Sequence, residues 1–294
     1  MMKSLNGQVA LVAGATRGAG RAIAIELATA GAIVYVTGRS TRSVPSPMQR
    51  PETIEETVEL ITARGGKASA ARVDHTVAGE VASLMERIRT EQAGRLDILV
   101  NDLWGGDPLA EWGVNFWEHD LDAGLLMQRN AVHSHLITSW YAAPLMVARR
   151  SGLIVEVTDG ITDRYRGSLF YDLAKASVIR LAVAQAEELK PFGVAALALS
   201  PGFLRSEAML DHFGVTEQTW REAIAKDANF AVSETPHYIG RAVVALASDH
   251  DILLKSGRAV ATWNLAKEYG FTDLDGTQPD WGSHARDELG LDMG

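Results

Sequence analysis

The sequence predicts an α/β protein with a doubly wound parallel sheet of about seven strands and helices on both faces. Short apolar runs, from Val9–Ala13 to Val194–Ser200, alternate with longer segments whose apolar residues recur at helical spacing. The chain has 294 residues, 47% hydrophobic and 22% charged, which suits one large α/β domain. Strands that alternate with helices form parallel sheets, whose ligands bind at the carboxyl ends of the strands.

The composition excludes several classes of function. With no cysteine, neither a disulfide framework nor a zinc-thiolate site can form, and a reducing cytoplasm is the expected location. The net charge of −9 argues against a nucleic-acid surface. No apolar run is long enough to span a membrane, and the start from Met1 to Gly7 lacks the apolar centre of a signal peptide. We therefore expect a soluble, cytoplasmic protein without nucleic-acid or membrane partners.

The first strand leads into a glycine-rich turn, Gly14 to Gly20, and then into a helix from Arg21 to Ala28. Strand, glycine turn and helix in this order are typical of a site for a dinucleotide. The glycines let the backbone approach a pyrophosphate, whose charge lies at the positive end of the helix. The predicted cofactor-binding residues here are Gly14, Thr16, Arg17, Gly18, Ala19 and Gly20.

The second strand, Ile33 to Thr37, ends in Gly38-Arg39-Ser40. A cofactor with a free ribose 2′ hydroxyl usually meets an acidic residue at this point. This chain has Arg39 instead, with Arg17 as a second cation, and a guanidinium suits a 2′ phosphate. We therefore expect NADP(H) to be preferred over NAD(H), with Ser40 beside it. The alternative is that both arginines are solvated surface residues.

The remaining elements continue the alternation. Before the middle of the chain we predict a helix from Glu52 to about Arg64, a strand from Ala68 to Asp74, a helix from Val77 to about Ala93 and a strand from Leu96 to Asn101. Beyond it we predict a helix from about Asp122 to Arg150, the strand Gly152–Val157, a helix from Ser168 to about Phe192, the strand Val194–Ser200, a helix from Thr235-Pro236 and the strand Arg258–Ala261. At the carboxyl end of the third strand, Asp74 is placed to bond an adenine amino group, with His75 next to it.

Tyr171 and Lys175 lie one helical turn apart at the front of the helix after the fifth strand. A spacing of four residues puts both side chains on one face. A phenol has an unperturbed pKa of about 10, and a neighbouring ammonium lowers that pKa by favouring the phenolate. The pair is a candidate proton donor and acceptor, although the same spacing is common on solvated helices.

Together these motifs resemble the short-chain dehydrogenase/reductase superfamily. The glycine turn, the strand Asp97 to Asn101, the Tyr171/Lys175 pair and Pro201-Gly202 occur in its order and at about its spacing. The segment from Ser256 to Gly276 looks most like the dehydrogenase/reductase member 1 branch. The resemblance implies a single Rossmann-type domain over residues 1–276 and a polar, loosely held tail over 277–294.

The resemblance also implies further cofactor contacts. Lys175 binds the ribose hydroxyls, the loop after the sixth strand lines the nicotinamide, and Ser206 stands where relatives place a cofactor-binding threonine. Members carry Asn-Asn-Ala-Gly after the fourth strand, and this chain keeps only the first asparagine, which is expected to hold neighbouring strands together. The cofactor-binding residues added in this way are Asn101, Tyr171, Lys175, Pro201, Gly202, Phe203, Leu204 and Ser206.

One catalytic position departs from the family pattern. Relatives place a serine just past the fifth strand to hold the substrate carbonyl. Alignment of the strand puts Asp159 there, whereas counting back from Tyr171 puts Thr158 there. We favour Thr158 as the hydroxyl donor, because Asp159 could donate to a carbonyl only when protonated. An ionised Asp159 would instead favour a substrate with a hydroxyl or an amine.

The family's helix asparagine is also offset. Asn130 is the only candidate, but the expected position falls on Ala131, so Asn130 fits only if the helix carries an extra residue as a bulge. On the same helix His133 and His135 point to different faces and make a poor metal pair, so packing or surface roles are expected for both. No metal site is predicted.

Two loops are candidates for substrate binding. Residues 102–120 carry Trp104, Trp112, Phe116 and Trp117, which form either a rim over an apolar substrate or a patch packed on the core or on another subunit. Residues 203–233 carry Met209, Phe213 and Trp220 and suggest a mobile lid.

These features predict an NADPH-dependent oxidoreductase for a small, apolar or ring-containing carbonyl or alcohol. Tyr171 exchanges the proton, assisted by Lys175, with Thr158 or Asp159 and Asn130 in supporting roles. A homodimer or homotetramer is expected by resemblance. The alternatives are a non-redox lyase or dehydratase, and a catalytically silent NADP(H)-binding regulatory protein.

Overall fold

A computed structural model describes residues 4–293, so the start Met1-Met2-Lys3 and Gly294 lie outside the described residues. Seven parallel strands form one sheet in the order β3-β2-β1-β4-β5-β6-β7. The strands are β1 (Val9–Ala13), β2 (Ile33–Gly38), β3 (Lys67–Arg72), β4 (Ile98–Asn101), β5 (Gly152–Val157), β6 (Val194–Ser200) and β7 (Ala259–Ala261). The strand order reverses between β1 and β4, and this point is where ligands bind in open parallel sheets.

Helices cover both faces of the sheet. They are α1 (Gly18–Thr29), α2 (Ile54–Ala63), α3 (Ala78–Glu91), α4 (Leu121–Gln128), α5 (Ser134–Arg149), α6 (Leu169–Leu189), α7 (Glu207–Phe213), α8 (Pro236–Ala247), α9 (Thr262–Tyr269) and α10 (Trp281–Leu289). One apolar layer joins the sheet to α1, α2, α8 and α9, and the other joins it to α3, α5 and α6. The predicted doubly wound fold is confirmed. None of the helices within residues 4–293 has the length and apolar character needed to cross a membrane.

The helix predicted over residues 122–150 is interrupted. Between α4 and α5 the chain forms a five-residue π-helix, Arg129–His133. A π-helix inserts one extra residue per turn, so the bulge that Asn130 requires is confirmed. The hydroxyl of Ser134 donates to the Asn130 carbonyl at 2.5 Å within this widened turn.

The expectation of a loosely held tail is wrong. Helix α10 packs on the domain, with Gly282 against the indole of Trp263 and Ala285 fully buried. Asp280 caps its first turn by accepting from the Ser283 amide. The sequence after Gly276 looks polar because most of its apolar contacts are made by a few small side chains and by Trp281.

Candidate active site

A cleft of about 900 Å³ opens at the carboxyl ends of the strands, between the glycine turn and α7. Nearly all of the predicted site residues line it. The two that do not are Gly20 and Asn101. The amide of Asn101 donates to Ser139 Oγ at 2.9 Å and to Glu156, so this residue ties β4 to its neighbours, as expected, and does not line the cleft.

The glycine turn is closed against the segment that follows β4. Gly14 has a φ of +91°, and a side chain there would collide with the backbone carbonyl of Asp102. A side chain at Gly20 would collide with the Gly14 carbonyl. Gly20 therefore serves the close packing of α1 on β1, while Gly14 and Gly18 border the cleft.

Arg17 points into the cleft from this turn. Its Nη2 donates to Met48 Sδ at 2.8 Å, and its Nη1 is buried without a hydrogen-bond partner among the described residues. Burial lowers the pKa of the guanidinium from its usual value. Arg39 lines the same end of the cleft, with its guanidinium beside Gly105. This arrangement leaves an unmatched donor and a second cation where an anion can bind.

The glycine turn also holds a carboxylate from the chain itself. Glu207, the first residue of α7, accepts from the Gly18 amide at 2.9 Å. Asp211, one turn further along α7, pairs with Arg50 at 2.7 Å. Glu207 thus joins α7 to the amino end of α1, which is the position that suits a bound phosphate, and Asp211 joins α7 to the loop before α2.

Tyr171 also lines the cleft, and Asp159 is its hydrogen-bond partner. The phenol donates to Asp159 Oδ2 at 2.7 Å. Burial, followed by the negative charge of Asp159, raises the pKa of Tyr171 above its ordinary value. The lowering of this pKa expected from Lys175 is therefore wrong for this arrangement.

The hydroxyl of Thr158 is engaged elsewhere. It donates to the backbone carbonyl of Lys175 at 2.9 Å and is 2% exposed, so it helps to hold α6 against β5. In the structure Asp159, and not Thr158, is thus the hydrogen-bond partner of Tyr171. Asp159 is held in place by Arg166, whose Nε donates to the Asp159 carbonyl and whose Nη1 pairs with Asp172 at 2.9 Å.

Lys175 lies against an aromatic ring. Its Nζ is 4.0 Å from the centre of the Trp104 ring and 5.4 Å from that of Tyr171. Burial lowers the pKa of Lys175, while the charges of Asp159 and Asp102 act in the opposite direction. A cation on an indole face is stabilised by about 0.5–2 kcal/mol, so the ring compensates for part of the lost hydration.

The aromatic loop is divided between the cleft and the surface. Trp104 meets Tyr171 edge to face with the ring centres 5.4 Å apart, and the ring centre of Trp112 lies 5.1 Å from that of Tyr171. Phe116 and Trp117 meet edge to face and are 59% and 69% exposed. In the second loop Met209 borders the cleft, whereas Phe213 and Trp220 belong to a small core around Phe230.

Several cleft residues escaped the sequence analysis. Burial raises the pKa of the Asp102 carboxyl to about 7, although the ammonium of Lys175 and the amide of Gly20 both act to lower this pKa. Glu207, Arg166, Trp281 and Met293 also line the cleft. Asp102 was recognisable as a departure from the family motif, but the others come from distant segments. Among the described residues, 4–293, no group of three or more acidic or histidine side chains is placed to hold a metal ion.

Comparisons with known proteins agree with this geometry. The sequence model of the short chain dehydrogenase family matches residues 8–213. The chain is 35% identical to the mouse dehydrogenase/reductase SDR family member 1 over 280 residues, 94% of this chain and 86% of that protein. The human protein of the same name is 34% identical with the same coverage.

More distant relatives share the fold. A 3-oxoacyl-[acyl-carrier-protein] reductase of Staphylococcus aureus is 31% identical over 67% of this chain and 75% of its own length. A short chain dehydrogenase from Mycobacterium thermoresistibile superimposes with a TM-score of 0.75 at 24% identity, over 95% of this chain and 92% of that one. A hydroxysteroid dehydrogenase from Escherichia coli gives a TM-score of 0.69 at 23% identity, over 89% and 98%.

Proposed function

Because the chain belongs to the short-chain dehydrogenase/reductase family, in its dehydrogenase/reductase member 1 branch, we propose that it transfers hydride between NADP(H) and a small carbonyl or alcohol. Members of this family use a nicotinamide cofactor, which supplies or accepts the hydride when it is bound. The observation that carries the proposal is the hydrogen bond of Tyr171 to Asp159 in the same cleft that the glycine turn lines.

The residues present fit a phosphorylated dinucleotide. Gly14, Thr16, Gly18 and Ala19 would hold the diphosphate, which would displace the Glu207 carboxylate from the Gly18 amide. The buried, unmatched Nη1 of Arg17, together with Arg39 and Ser40, would hold the 2′ phosphate. An uncompensated buried N–H costs about 1–3 kcal/mol, which an anion at this position would recover.

The other proposed contacts of the cofactor follow the remaining strand ends. Asp74 and His75 would lie by the adenine, and Lys175 by the nicotinamide ribose. The loop after β6 would border the nicotinamide through Pro201, Gly202, Phe203, Leu204 and Ser206. Ser206 also caps α7 by accepting from the Met209 amide at 3.3 Å, so a cofactor contact there would be linked to the position of α7.

The proton chemistry belongs to the chain's own residues. Tyr171 holds a proton on Oη, because burial and Asp159 both keep its pKa high. In reduction this proton passes to the substrate oxygen, which must replace Asp159 as the acceptor. In oxidation the alcohol proton returns to Tyr171. Asn130, which lines the cleft at the π-helix, would link Lys175 to solvent.

The rings beside Tyr171 support an apolar or ring-containing substrate. Trp104 and Trp112 both contact the phenol ring, so aromatic surface lies beside the reacting residue. Arg166 and Asp159 line the same cleft and supply polar groups there. Reduction by NADPH is the proposed direction, and a homodimer or homotetramer in the cytoplasm is the proposed setting.

The test is the loss of NADPH absorbance with a panel of aliphatic and aromatic ketones, aldehydes and quinones, with product measured in parallel. The proposal expects one NADPH consumed per alcohol formed. A carboxylate on the catalytic phenol also suits proton transfer without hydride, as in a lyase or dehydratase. Product formed without NADPH would favour that alternative, and NADPH binding without any product would favour a regulatory protein.

A further inference from the structure

A buried histidine and glutamate that the proposed mechanism does not use lie behind the wall of the cleft. His135 of α5 and Glu156 of β5 are 1% and 0% exposed, and His135 Nδ1 is 2.7 Å from Glu156 Oε2. Glu156 also accepts from Ser139 Oγ at 3.0 Å and from Gln185 Nε2 at 3.0 Å. A buried carboxylate is costly unless donors surround it, and here they do.

The second ring nitrogen of His135 reaches the cleft wall. His135 Nε2 is 3.0 Å from the backbone carbonyl of Leu103. A carbonyl oxygen can only accept, so Nε2 must carry the hydrogen of this bond. His135 thereby links α5 and β5 to the segment that follows β4.

The next residue along that segment is Trp104, which is in direct contact with the catalytic pair. The centre of its ring lies 4.0 Å from Lys175 Nζ and 5.4 Å from the centre of the Tyr171 ring. Its Nε1 donates to Asp107 Oδ1 at 2.6 Å. The indole of Trp104 is thus held at its edge by Asp107. The backbone next to Trp104 is held by the bond between His135 and the Leu103 carbonyl.

We propose that His135, braced by Glu156, is a positioning residue that holds Trp104 on the Lys175 ammonium through the Leu103 carbonyl. Loss of the Leu103 bond frees the backbone next to Trp104, so the ring leaves Lys175 and the ammonium loses its aromatic partner. The effect on turnover rests on the proposed function, whereas the effect on the Trp104 position does not.

Two substitutions distinguish this role from one in which His135 serves only as a hydrogen-bond partner of Glu156. Glutamine places its amide nitrogen near the position of Nε2, so His135→Gln can still donate to Leu103. Asparagine places its amide nitrogen near that of Nδ1, so His135→Asn can donate to Glu156 but not to Leu103. If His135 positions Trp104, glutamine should preserve the position of Trp104 better than asparagine. If His135 only supports Glu156, asparagine should be the better substitute.

The first measurement is near-ultraviolet circular dichroism of the cofactor-free protein, with the contribution of Trp104 defined by the difference between wild type and Trp104→Phe. We expect this contribution to persist in His135→Gln and to be lost in His135→Asn. Its persistence in His135→Asn, or its loss in His135→Gln alone, would overturn the proposal. A further test does not depend on the folding of the variants. In NMR spectra of wild-type protein labelled with ¹⁵N-histidine, the hydrogen on His135 Nε2 must be visible and protected from exchange with solvent, and its absence would also overturn the proposal.

The second measurement is turnover at saturating NADPH. For His135→Asn we expect kcat to fall by about 10-fold or more, with the Kd of NADPH within about twofold, since a small displacement beside reacting groups affects rate more than binding. An unchanged kcat in a variant that has lost the Trp104 signal would contradict the link to catalysis. If the wild type were inactive, the proposed function would be refuted. The circular dichroism result would then alone decide whether His135 positions Trp104.

Discussion

Tyr171 Oη lies 2.7 Å from Asp159 Oδ2, so the phenol in the cleft donates its hydrogen bond to a carboxylate. The ammonium of Lys175 lies 4.0 Å from the centre of the Trp104 ring and 5.4 Å from that of the Tyr171 ring. Burial and the Asp159 charge raise the pKa of the phenol. In the proposed reaction, Asp159 is the group that a substrate oxygen would replace.

Asp159→Asn is expected to lower the pKa of Tyr171. Burial and the Asp159 charge both raise this pKa, so removal of the charge leaves burial alone and moves the titration to lower pH, by roughly 1 unit or more. The measurement is tyrosinate absorbance against pH in the cofactor-free protein, with Tyr171→Phe subtracted. A titration at unchanged or higher pH would show that Asp159 does not control the phenol.

Thr158→Val is expected to affect stability more than catalysis. The variant loses the bond from Thr158 Oγ1 to the Lys175 carbonyl, which is worth about 1 kcal/mol in the free energy of unfolding. Urea denaturation measures the loss, and turnover should remain near the wild-type value. If turnover vanished while stability stayed the same, Thr158 would be the substrate's hydroxyl donor after all.

Arg17→Gln is expected to weaken NADPH binding selectively. A charge-assisted hydrogen bond to the 2′ phosphate is worth about 1.5–3 kcal/mol, so the Kd of NADPH should rise by roughly 10- to 100-fold while that of NADH changes little. Arg42→Gln is the matched control, because Arg42 pairs with Glu59 at 2.7 Å on the surface. Equal weakening of both cofactors would contradict the assignment of the 2′ phosphate to Arg17.

Glu207→Gln is expected to tighten cofactor binding. Glu207 accepts from the Gly18 amide and places a negative charge at the position proposed for the diphosphate. Charges at a helix terminus contribute about 0.3–1 kcal/mol, so the Kd of NADPH should fall by about two- to fivefold. Fluorescence titration measures it, with the exposed Glu222→Gln as control. Weaker binding in Glu207→Gln would mean that the carboxylate supports the bound state rather than competing with it.

The positions of the strands and their alternation with helices could be predicted because each apolar run is short and bounded by turn residues. Strands β1, β5 and β6 begin and end where expected, whereas β3 ends at Arg72, two residues before the predicted limit at Asp74. Helix α10 was missed because its packing depends on Gly282 fitting against Trp263, a contact between distant segments.

The site was predicted as far as its motifs extend. The glycine turn, Arg39, Tyr171 and Lys175 line one cleft, and the π-helix resolves the offset of Asn130. Spacing could not decide between Thr158 and Asp159, since the loop between β5 and α6 determines which of the two reaches the phenol. Glu207 and His135 act through partners that lie far away in the sequence, so no local pattern marks them.

Turnover of Tyr171→Phe beside wild type shows whether Tyr171 supplies the proton to the substrate. NADPH oxidation would be followed with the best carbonyl substrate from the panel, and NADPH binding would be measured by fluorescence on the same samples. We expect an unchanged Kd for NADPH and a rate lower by about 10²- to 10⁴-fold, the usual contribution of a positioned general acid. Full turnover in Tyr171→Phe would refute this role, because the proton would then come from another group.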